Sequence, residues 1–339
     1  MSYQVTLQPS GHTFSANADE TLLSAADNAG LALPYGCRNG ACSVCKVTIL
    51  SGQVDHASSQ DWALPADQRA AGKALLCCAK PLSDLVLETK EVQIARDIPV
   101  KTLPCRVHKM EKLAPDIMAI WLKLPANERL QFIAGQYIEF ILKDGGRRAF
   151  SLANAPHDDD TLLVHVRLVP GGQFTTHVFE GMKEKDILRF EGPLGTFFLR
   201  EDSDKPIILL AGGTGFAPIK ALVEHAIHSK IERPIHIYWG AKDKTGLYQP
   251  DLPRQWAQEH AHIQFVPVLS EPTATDGWTG RTGLVHKSVL ADFPDLSGFQ
   301  VYACGSPVMI DAAQKDFAAA GLPESEFFAD SFTFAPPKP

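Results

Sequence analysis

Three cysteines crowd into one short stretch, Cys37-Arg-Asn-Gly-Ala-Cys42-Ser-Val-Cys45, with C-x4-C-x2-C spacing. A fourth thiol lies well downstream, at Cys77 or at its neighbour Cys78. Thiolates placed this way can wrap a small cluster, three from a tight loop and one from a distant segment, as in plant-type 2Fe-2S sites. Gly40, Ala41 and Ser43 are small enough for backbone amides to turn toward the sulfurs and tune the potential. The competing readings are a zinc site and plain buried thiols. Zinc sites usually pair two knuckles, which this spacing does not provide.

A second segment with chemical content is Ile207-Ile-Leu-Leu-Ala-Gly-Gly213-Thr214-Gly215-Phe-Ala217-Pro218. An apolar run passes into glycines and then into a helical pattern with proline in its first turn. That order leaves backbone amides and a helix N-terminus facing an anion, as pyrophosphate binding requires. The Gly-x-Gly-x-x-Gly of ordinary dehydrogenases is missing here. Further on, the strand pattern Ile235-His-Ile-Tyr-Trp239 leads into Gly240-Ala-Lys242-Asp243-Lys244. Asp243 suits ribose hydroxyls and the lysines suit a 2′-phosphate, so the residues alone argue toward either nucleotide.

These segments need scaffolds, and the rest of the chain supplies patterns for three. Residues 1–93 read as alternating strands, a short helix near Thr21 to Ala29 and the loop Pro34 to Cys45, a compact unit around the thiols. Residues 94–101 are expected to be a linker, within the aperiodic stretch Ile94 to Pro104 with its two prolines. Residues 102–203 alternate polar and apolar in short runs such as Gln136 to Leu142 and Thr161 to Val169, which suggests an antiparallel barrel. Residues 204–339 alternate apolar runs with helical segments, the rhythm of a parallel α/β sheet. The expected architecture is therefore multidomain, α+β and α/β.

The whole chain has 339 residues, 45% hydrophobic and 21% charged, and a formal net charge of -7. Its length favours two or three domains. No lysine or arginine block invites nucleic acid, and no apolar run is long enough to span a membrane. Seven cysteines, an odd number with five of them between Cys37 and Cys78, fit a secreted disulfide framework poorly. A cytoplasmic protein is expected.

Arg148-Ala-Phe150-Ser151 resembles the Arg-x-Tyr-Ser signature of the ferredoxin-NADP reductase superfamily, with phenylalanine in the tyrosine place. The resemblance implies that Arg148 pairs with the FAD pyrophosphate, Phe150 covers the isoalloxazine and Ser151 hydrogen-bonds its N5. His165, Val166 and Arg167 are similar to the family strand lying along the flavin nucleotide. Gly172, Gln173 and Thr175 resemble its second pyrophosphate contact. Gly213-Thr214-Gly215-x-Ala217-Pro218 matches the family's nicotinamide loop, and Gly240 and Lys242 fall where it reads the nucleotide. Cys304-Gly305-Ser306-Pro307 is similar to its Cys-Gly-x-Pro, which implies that Cys304 helps to orient the nicotinamide. Phe327-Phe-Ala-Asp330-Ser-Phe332 resembles the closing segment, in which an acid precedes an aromatic lying against the flavin. Leu76-Cys77-Cys78-Ala79-Lys80-Pro81 looks like the ferredoxin segment whose ligand precedes the proline by four residues, which selects Cys77.

Together these segments resemble the ferredoxin-fused members of that superfamily, which implies a β-grasp 2Fe-2S domain, an antiparallel β-barrel FAD domain and a parallel-sheet NAD(P) domain. Within it, Arg147 to Pro156, Leu210 to Pro218 and His236 to Gly240 look like CDP-6-deoxy-delta-3,4-glucoseen reductases, and reductases of phenol hydroxylase and benzoate dioxygenase systems share the layout. The implied activity is electron transfer from NAD(P)H through FAD to the cluster, with NADH favoured on family grounds and NADPH not excluded. The implied partner is a sugar dehydrase or an oxygenase component docking near the cluster. A zinc-binding or redox-sensing adaptor is the contrasting reading, against which the flavin and nicotinamide motifs argue.

Overall fold

A computed structural model of the protein describes residues 1–89, 91 and 98–332. The chain divides into two units, Met1–Pro99 and Val100–Pro339. In the first, alternation along β1 (Ser2–Gln8) and β2 (Thr13–Asn17) buries Val5, Leu7, Phe14 and Ala16 on one face. Helix α1 (Leu22–Asn28) starts where Thr21 Oγ1 accepts the Ser24 N–H at 3.3 Å, and it buries Leu22, Leu23, Ala25 and Ala26. The chain continues through β3 (Lys46–Ser51), β4 (Val54–Asp55), α2 (Ala66–Ala70), β5 (Lys73–Leu75), β6 (Lys80–Pro81) and β7 (Leu85–Glu88). The main sheet runs β2-β1-β7-β3-β5, with β1 and β7 parallel and the other neighbours antiparallel. This is the β-grasp arrangement, and the stretch between α1 and β3 is the cysteine loop.

The second unit opens with β8 (Lys101–Ala114), followed by β9 (Ile117–Lys123), β10 (Tyr137–Ile141), β11 (Arg147–Ser151), β12 (Leu162–Arg167), α3 (Gln173–Glu180) and β13 (Ile187–Leu194). These strands form an antiparallel sheet in the order β11-β10-β13-β8-β9-β12, and a bridge from Leu152 to Val164 joins its two ends into a barrel. Leu162, Val164 and Val166 point into that barrel with Phe140, Phe174 and Phe190. Their strand neighbours on β12, His165 and Arg167, therefore face outward.

Beyond the barrel come β14 (Ile207–Gly212), α4 (Phe216–His228), β15 (Ile235–Ala241), α5 (Asp251–Glu259), β16 (Ile263–Leu269), β17 (Arg281–Thr282), α6 (Val285–Asp292), β18 (Gln300–Gly305), α7 (Pro307–Ala319) and β19 (Phe327–Ser331). All six strands are parallel, in the order β17-β16-β15-β14-β18-β19. The chain turns one way from β14 to β15 and the other way to β18, so the crevice at the carboxyl ends of β14 and β18 is the topological switch point. Of the expected linker, residues 94–97 lie outside the described residues, and Lys101 is already the first residue of β8. Among the described residues no helix is long and apolar enough to cross a membrane.

Candidate functional site

In the first unit, the cysteine loop reverses direction through three left-handed residues, Arg38 (φ 56°), Gly40 (φ 78°) and Ser43 (φ 62°). At Gly40 a Cβ would fall 2.6 Å from the Cys78 sulfur, so only glycine lets the loop lie this close to the Cys77-Cys78 segment. The turn aims amides at sulfur: the Cys37 N–H lies 3.3 Å from Cys42 Sγ, and the amides of Asn39, Ala41 and Cys42 face Cys37. With the Cys42 thiol hydrogen-bonded to it as the main cause, Cys37 is held down to about 6, whereas Cys42 is pushed up. Cys77 is hydrogen-bonded to Cys45, which pushes Cys77 up, and its sulfur lies 3.7 Å from that of Cys78. Cys37 is thus paired with Cys42, while Cys77 meets both Cys45 and Cys78. Among the described residues no three Cys, His, Asp or Glu side chains gather around a single ion position.

The second unit brings three expected residues together from three strands. Ser151 Oγ, at the end of β11, donates to Asp330 Oδ2 on β19 at 2.8 Å. Cys304, on β18 opposite Asp330 in register, has its Sγ 3.8 Å from the same oxygen. Burial raises Asp330 to about 6 in spite of these two donors, and burial also drives the Cys304 thiol well up. Phe332 follows, its N–H donating to Gly305 O at 2.8 Å and its ring packed on the core that contains Cys304.

Other expected flavin residues divide by where their side chains go. Arg147 is occupied by Glu139 and Glu191 at 3.3 and 3.1 Å, while Arg148 donates to its neighbour's carbonyl, Arg147 O, at 2.8 Å. Phe150 tilts against Phe140 and Phe174, 5.8 and 5.4 Å between centroids. Val166 is buried inside the barrel, which leaves only its backbone for a ligand. The Thr175 hydroxyl accepts the Val169 N–H at 3.1 Å and so closes its own turn between Gly172 and the exposed Gln173. Arg167 points away from the barrel: its guanidinium stands where a Cβ on Gly213 would fall, 2.9 Å from Nη1, and Asp116 pairs with it at 3.3 Å. The structure therefore sets Arg167 over the glycine loop of the parallel sheet.

That loop is built by close approach. A Cβ at Gly215 would lie 2.0 Å from the Cys304 carbonyl oxygen, so the loop and the end of β18 meet backbone to backbone. Trp239 Nε1 donates to Gly213 O at 2.9 Å, fixing the carbonyl inward. Gly213 and Thr214 keep partial exposure, whereas Ala217 and Pro218 are buried, Ala217 against Ala153. Gly240 is demanded by Val285, whose Cβ would lie 2.7 Å from an added Cβ. Ser306 Oγ caps α7 by accepting the Met309 N–H at 3.4 Å, next to the half-buried Pro307. Lys242 pairs with Glu271 at 3.1 Å.

Two arrangements escape a reading of motifs. Lys220 on α4 is buried, and its Nζ donates to Ala153 O at 2.9 Å and meets Glu224 at 2.7 Å. Glu224 in turn accepts the Ala155 amide, so one i,i+4 pair grips the flavin-side segment at two points. His165 Nδ1 lies 2.9 Å from Tyr248 Oη, both buried, and burial lowers His165 to about 3. The only signal for Lys220 was a lysine on an otherwise apolar helix face.

A glycine-lined switch point beside a barrel whose last strand residue meets an acid and a thiol is the arrangement of ferredoxin-reductase-type oxidoreductases. Comparison with known families agrees: residues 5–82 match a 2Fe-2S iron-sulfur cluster binding domain, 104–199 an oxidoreductase FAD-binding domain and 209–315 an oxidoreductase NAD-binding domain. The chain is 44% identical, over 98% of its length and 99% of the relative's, to a CDP-6-deoxy-L-threo-D-glycero-4-hexulose-3-dehydrase reductase of Yersinia pestis. It is 36% identical to the phenol hydroxylase P5 protein of Acinetobacter pittii, covering 99% of this chain and 96% of that one. Among solved structures, the cytochrome P450 reductase GcoB of Amycolatopsis superposes with a TM-score of 0.76 at 32% identity, covering 97% of this chain and 98% of that one. The chain belongs to the ferredoxin-reductase family in which a 2Fe-2S domain is fused to FAD- and NAD-binding domains. It is an NAD(P)H oxidoreductase that moves electrons from NAD(P)H through FAD to a 2Fe-2S cluster.

Proposed function

We propose that this reductase supplies electrons to a deoxyhexulose dehydrase, through a cluster held by Cys37, Cys42, Cys45 and Cys77. The convergence of Ser151, Cys304 and Asp330 at the switch point carries the reductase chemistry. Supporting the acceptor is the full-length 44% identity to a dehydrase reductase, against 36% to a phenol hydroxylase component. Cys37, Cys42 and Cys45 on the loop and Cys77 from the distant segment would hold a 2Fe-2S cluster, which would supply one-electron transfer. The domain limits 1–93, 102–203 and 204–339 are proposed with it, as is a cytoplasmic setting, which all seven cysteines being free supports.

A flavin held at this site would supply the exchange of a hydride's electron pair for single electrons, and a 2Fe-2S cluster would supply one-electron transfer. The chain's part is position and proton. Ser151 commits its hydroxyl proton to Asp330, so its oxygen lone pairs are left to accept from a flavin N–H. Asp330, held near 6, can keep or release a proton around neutrality and sits within reach of both Ser151 and Cys304. Cys304 is buried as a neutral thiol and offers shape rather than charge beside the nicotinamide. Arg148 and Phe150 would hold the flavin's pyrophosphate and ring, with the backbone of His165 to Arg167 and the Gly172 to Thr175 turn along its nucleotide. The amides of Gly213 to Gly215 and the guanidinium of Arg167 would take the dinucleotide's pyrophosphate. Phe332 would close the flavin's open face.

The test is anaerobic. NADH-reduced protein should drive turnover of a deoxyhexulose dehydrase loaded with its sugar nucleotide, and should fail with an aromatic-ring oxygenase. The reverse result would make the oxygenase reading correct.

A further inference from the structure

Strand β12 reaches the glycine loop of the parallel sheet by two arms. One is Arg167, whose Nη1 stands 2.9 Å from where a Cβ on Gly213 would fall. The other starts at His165, two residues earlier and therefore on the same outward face. His165 Nδ1 lies 2.9 Å from Tyr248 Oη, and the two rings meet edge to face, 5.3 Å between centroids at 85°. Tyr248, in the segment between β15 and α5, stands edge-on to Trp239 at 5.1 Å and 85°. Trp239 stacks on Phe216 at 3.8 Å and 9°, and its Nε1 donates to Gly213 O at 2.9 Å. All four rings are buried, so none has room to turn independently of its neighbours.

This second arm is a stiff chain of contacts from the barrel to the loop that opens α4. Burial, helped by the charge of Lys220, lowers His165 to about 3 and keeps its imidazole neutral. Burial also pushes the Tyr248 phenol up, with Arg167 opposing and Cys304 adding to the rise, so the phenol keeps its proton. The bond between them is therefore a neutral one, the same throughout the range from about pH 6 to about pH 9. Arg167 cannot fix the loop alone, because it is a long, partly exposed side chain held at its other side by Asp116 at 3.3 Å. We propose that the hydrogen bond between His165 and Tyr248 is a positioning device for hydride transfer: acting through Trp239, it sets the distance between β12 and the loop Gly213 to Gly215. In that transfer a hydride leaves nicotinamide C4 for the flavin and the nucleotide departs as NAD+, so the rate falls steeply with added separation. The loop's own amides move with the loop. Affinity for the dinucleotide is thus set within the loop, and the transfer rate between loop and strand. This rests on the reading that β12 runs along the flavin and that the glycine loop takes the dinucleotide.

The experiment mixes the full chain, loaded with FAD and its cluster, anaerobically with NADH. The rate of flavin bleaching over a range of NADH concentrations separates the limiting rate from the apparent Kd. Tyr248→Phe should lower the limiting rate about tenfold and leave the apparent Kd within about twofold of wild type. The slowed rate should show a primary isotope effect with NADH deuterated at C4, and the ratio of wild-type to variant rates should be the same at pH 6.5 and pH 8.5. His165→Asn, whose side-chain oxygen takes the place of Nδ1, should lose less than His165→Leu, and Tyr248→Phe combined with His165→Leu should be no slower than His165→Leu alone. A merely structural bond would lower the urea midpoint of Tyr248→Phe and leave its limiting rate at the wild-type value, which overturns the proposal. A loss that lies wholly in the apparent Kd, or that shows no isotope effect, overturns it as well. If Tyr248→Phe does not retain FAD, the two His165 variants decide, and equal losses in both overturn the proposal. If NADH does not bleach the flavin of wild type, the reading of the loop fails first and the proposal falls with it.

Discussion

Lys220→Met probes the grip between α4 and the flavin-side segment. The substitution keeps the aliphatic volume but strips two partners: the buried carbonyl of Ala153 loses its donor, and Glu224 loses the cation 2.7 Å away. An orphaned buried carbonyl costs about 1–3 kcal/mol. Breaking a fully buried ion pair costs about 3–5 kcal/mol, and the 26% exposure of the Glu224 side chain reduces that share, so the total expected is about 2–4 kcal/mol. The pH dependence identifies the cause. Burial raises Glu224 above its ordinary value, and Lys220 opposes that rise. Without Lys220 the folded-state value climbs further, so the charged carboxylate penalises folding as pH rises through it and the penalty disappears below it. The deficit of Lys220→Met should therefore be larger at pH 8 than at pH 5.5, and adding Glu224→Gln should flatten it. Urea unfolding of the FAD-loaded chain, followed by flavin fluorescence at both pH values, reads this directly. A deficit that is equal at both pH values, or within about 0.5 kcal/mol of wild type at pH 8, would refute the reasoning.

Asp330→Asn keeps an acceptor for Ser151 but removes a buried charge. Because the folded value is raised from 3.8 to about 6, ionised Asp330 costs about 3 kcal/mol above pH 6 and nothing below 3.8, so the variant should gain stability at pH 8 relative to wild type but not at pH 3.5. Wild-type flavin reduction should change rate through about pH 6, and the variant's profile should be flat there. Gly215→Ala puts a Cβ 2.0 Å from the Cys304 carbonyl oxygen and must displace the loop, so NADH should no longer reduce the flavin while dithionite still does. Tyr248→Phe leaves His165 Nδ1 buried without its partner and should cost about 1–3 kcal/mol in the same urea assay.

Much of the architecture is legible from local pattern, because each scaffold announces itself by its own period. The helix expected near Thr21 to Ala29 is α1 at Leu22–Asn28, and the helical pattern with Pro218 in its first turn is α4, which begins at Phe216. Ser151, Cys304 and Asp330 are far apart in sequence and adjacent in space, and they are legible only because each sits in a short recognisable phrase. What stays hidden depends on side-chain direction. Arg167 lies in a phrase suited to the flavin strand, but the alternation of β12 sends it outward to the glycine loop, while Val166 goes inward. Gly240 falls in a nucleotide-reading phrase, although the contact that requires glycine there is with Val285 on α6. Lys220 and Tyr248 belong to no phrase, because their partners come from segments distant in sequence.

The central claim concerns the route of the electrons. Anaerobic rapid mixing of NADH with wild type and with Cys42→Ser, monitored in the visible, tests it most directly. Wild type should bleach the flavin band and then the iron-sulfur bands, whereas Cys42→Ser should lack the iron-sulfur bands, still bleach its flavin, and fail to pass electrons to a one-electron protein acceptor. Intact iron-sulfur bands in Cys42→Ser, or undiminished transfer to that acceptor without them, would contradict the account.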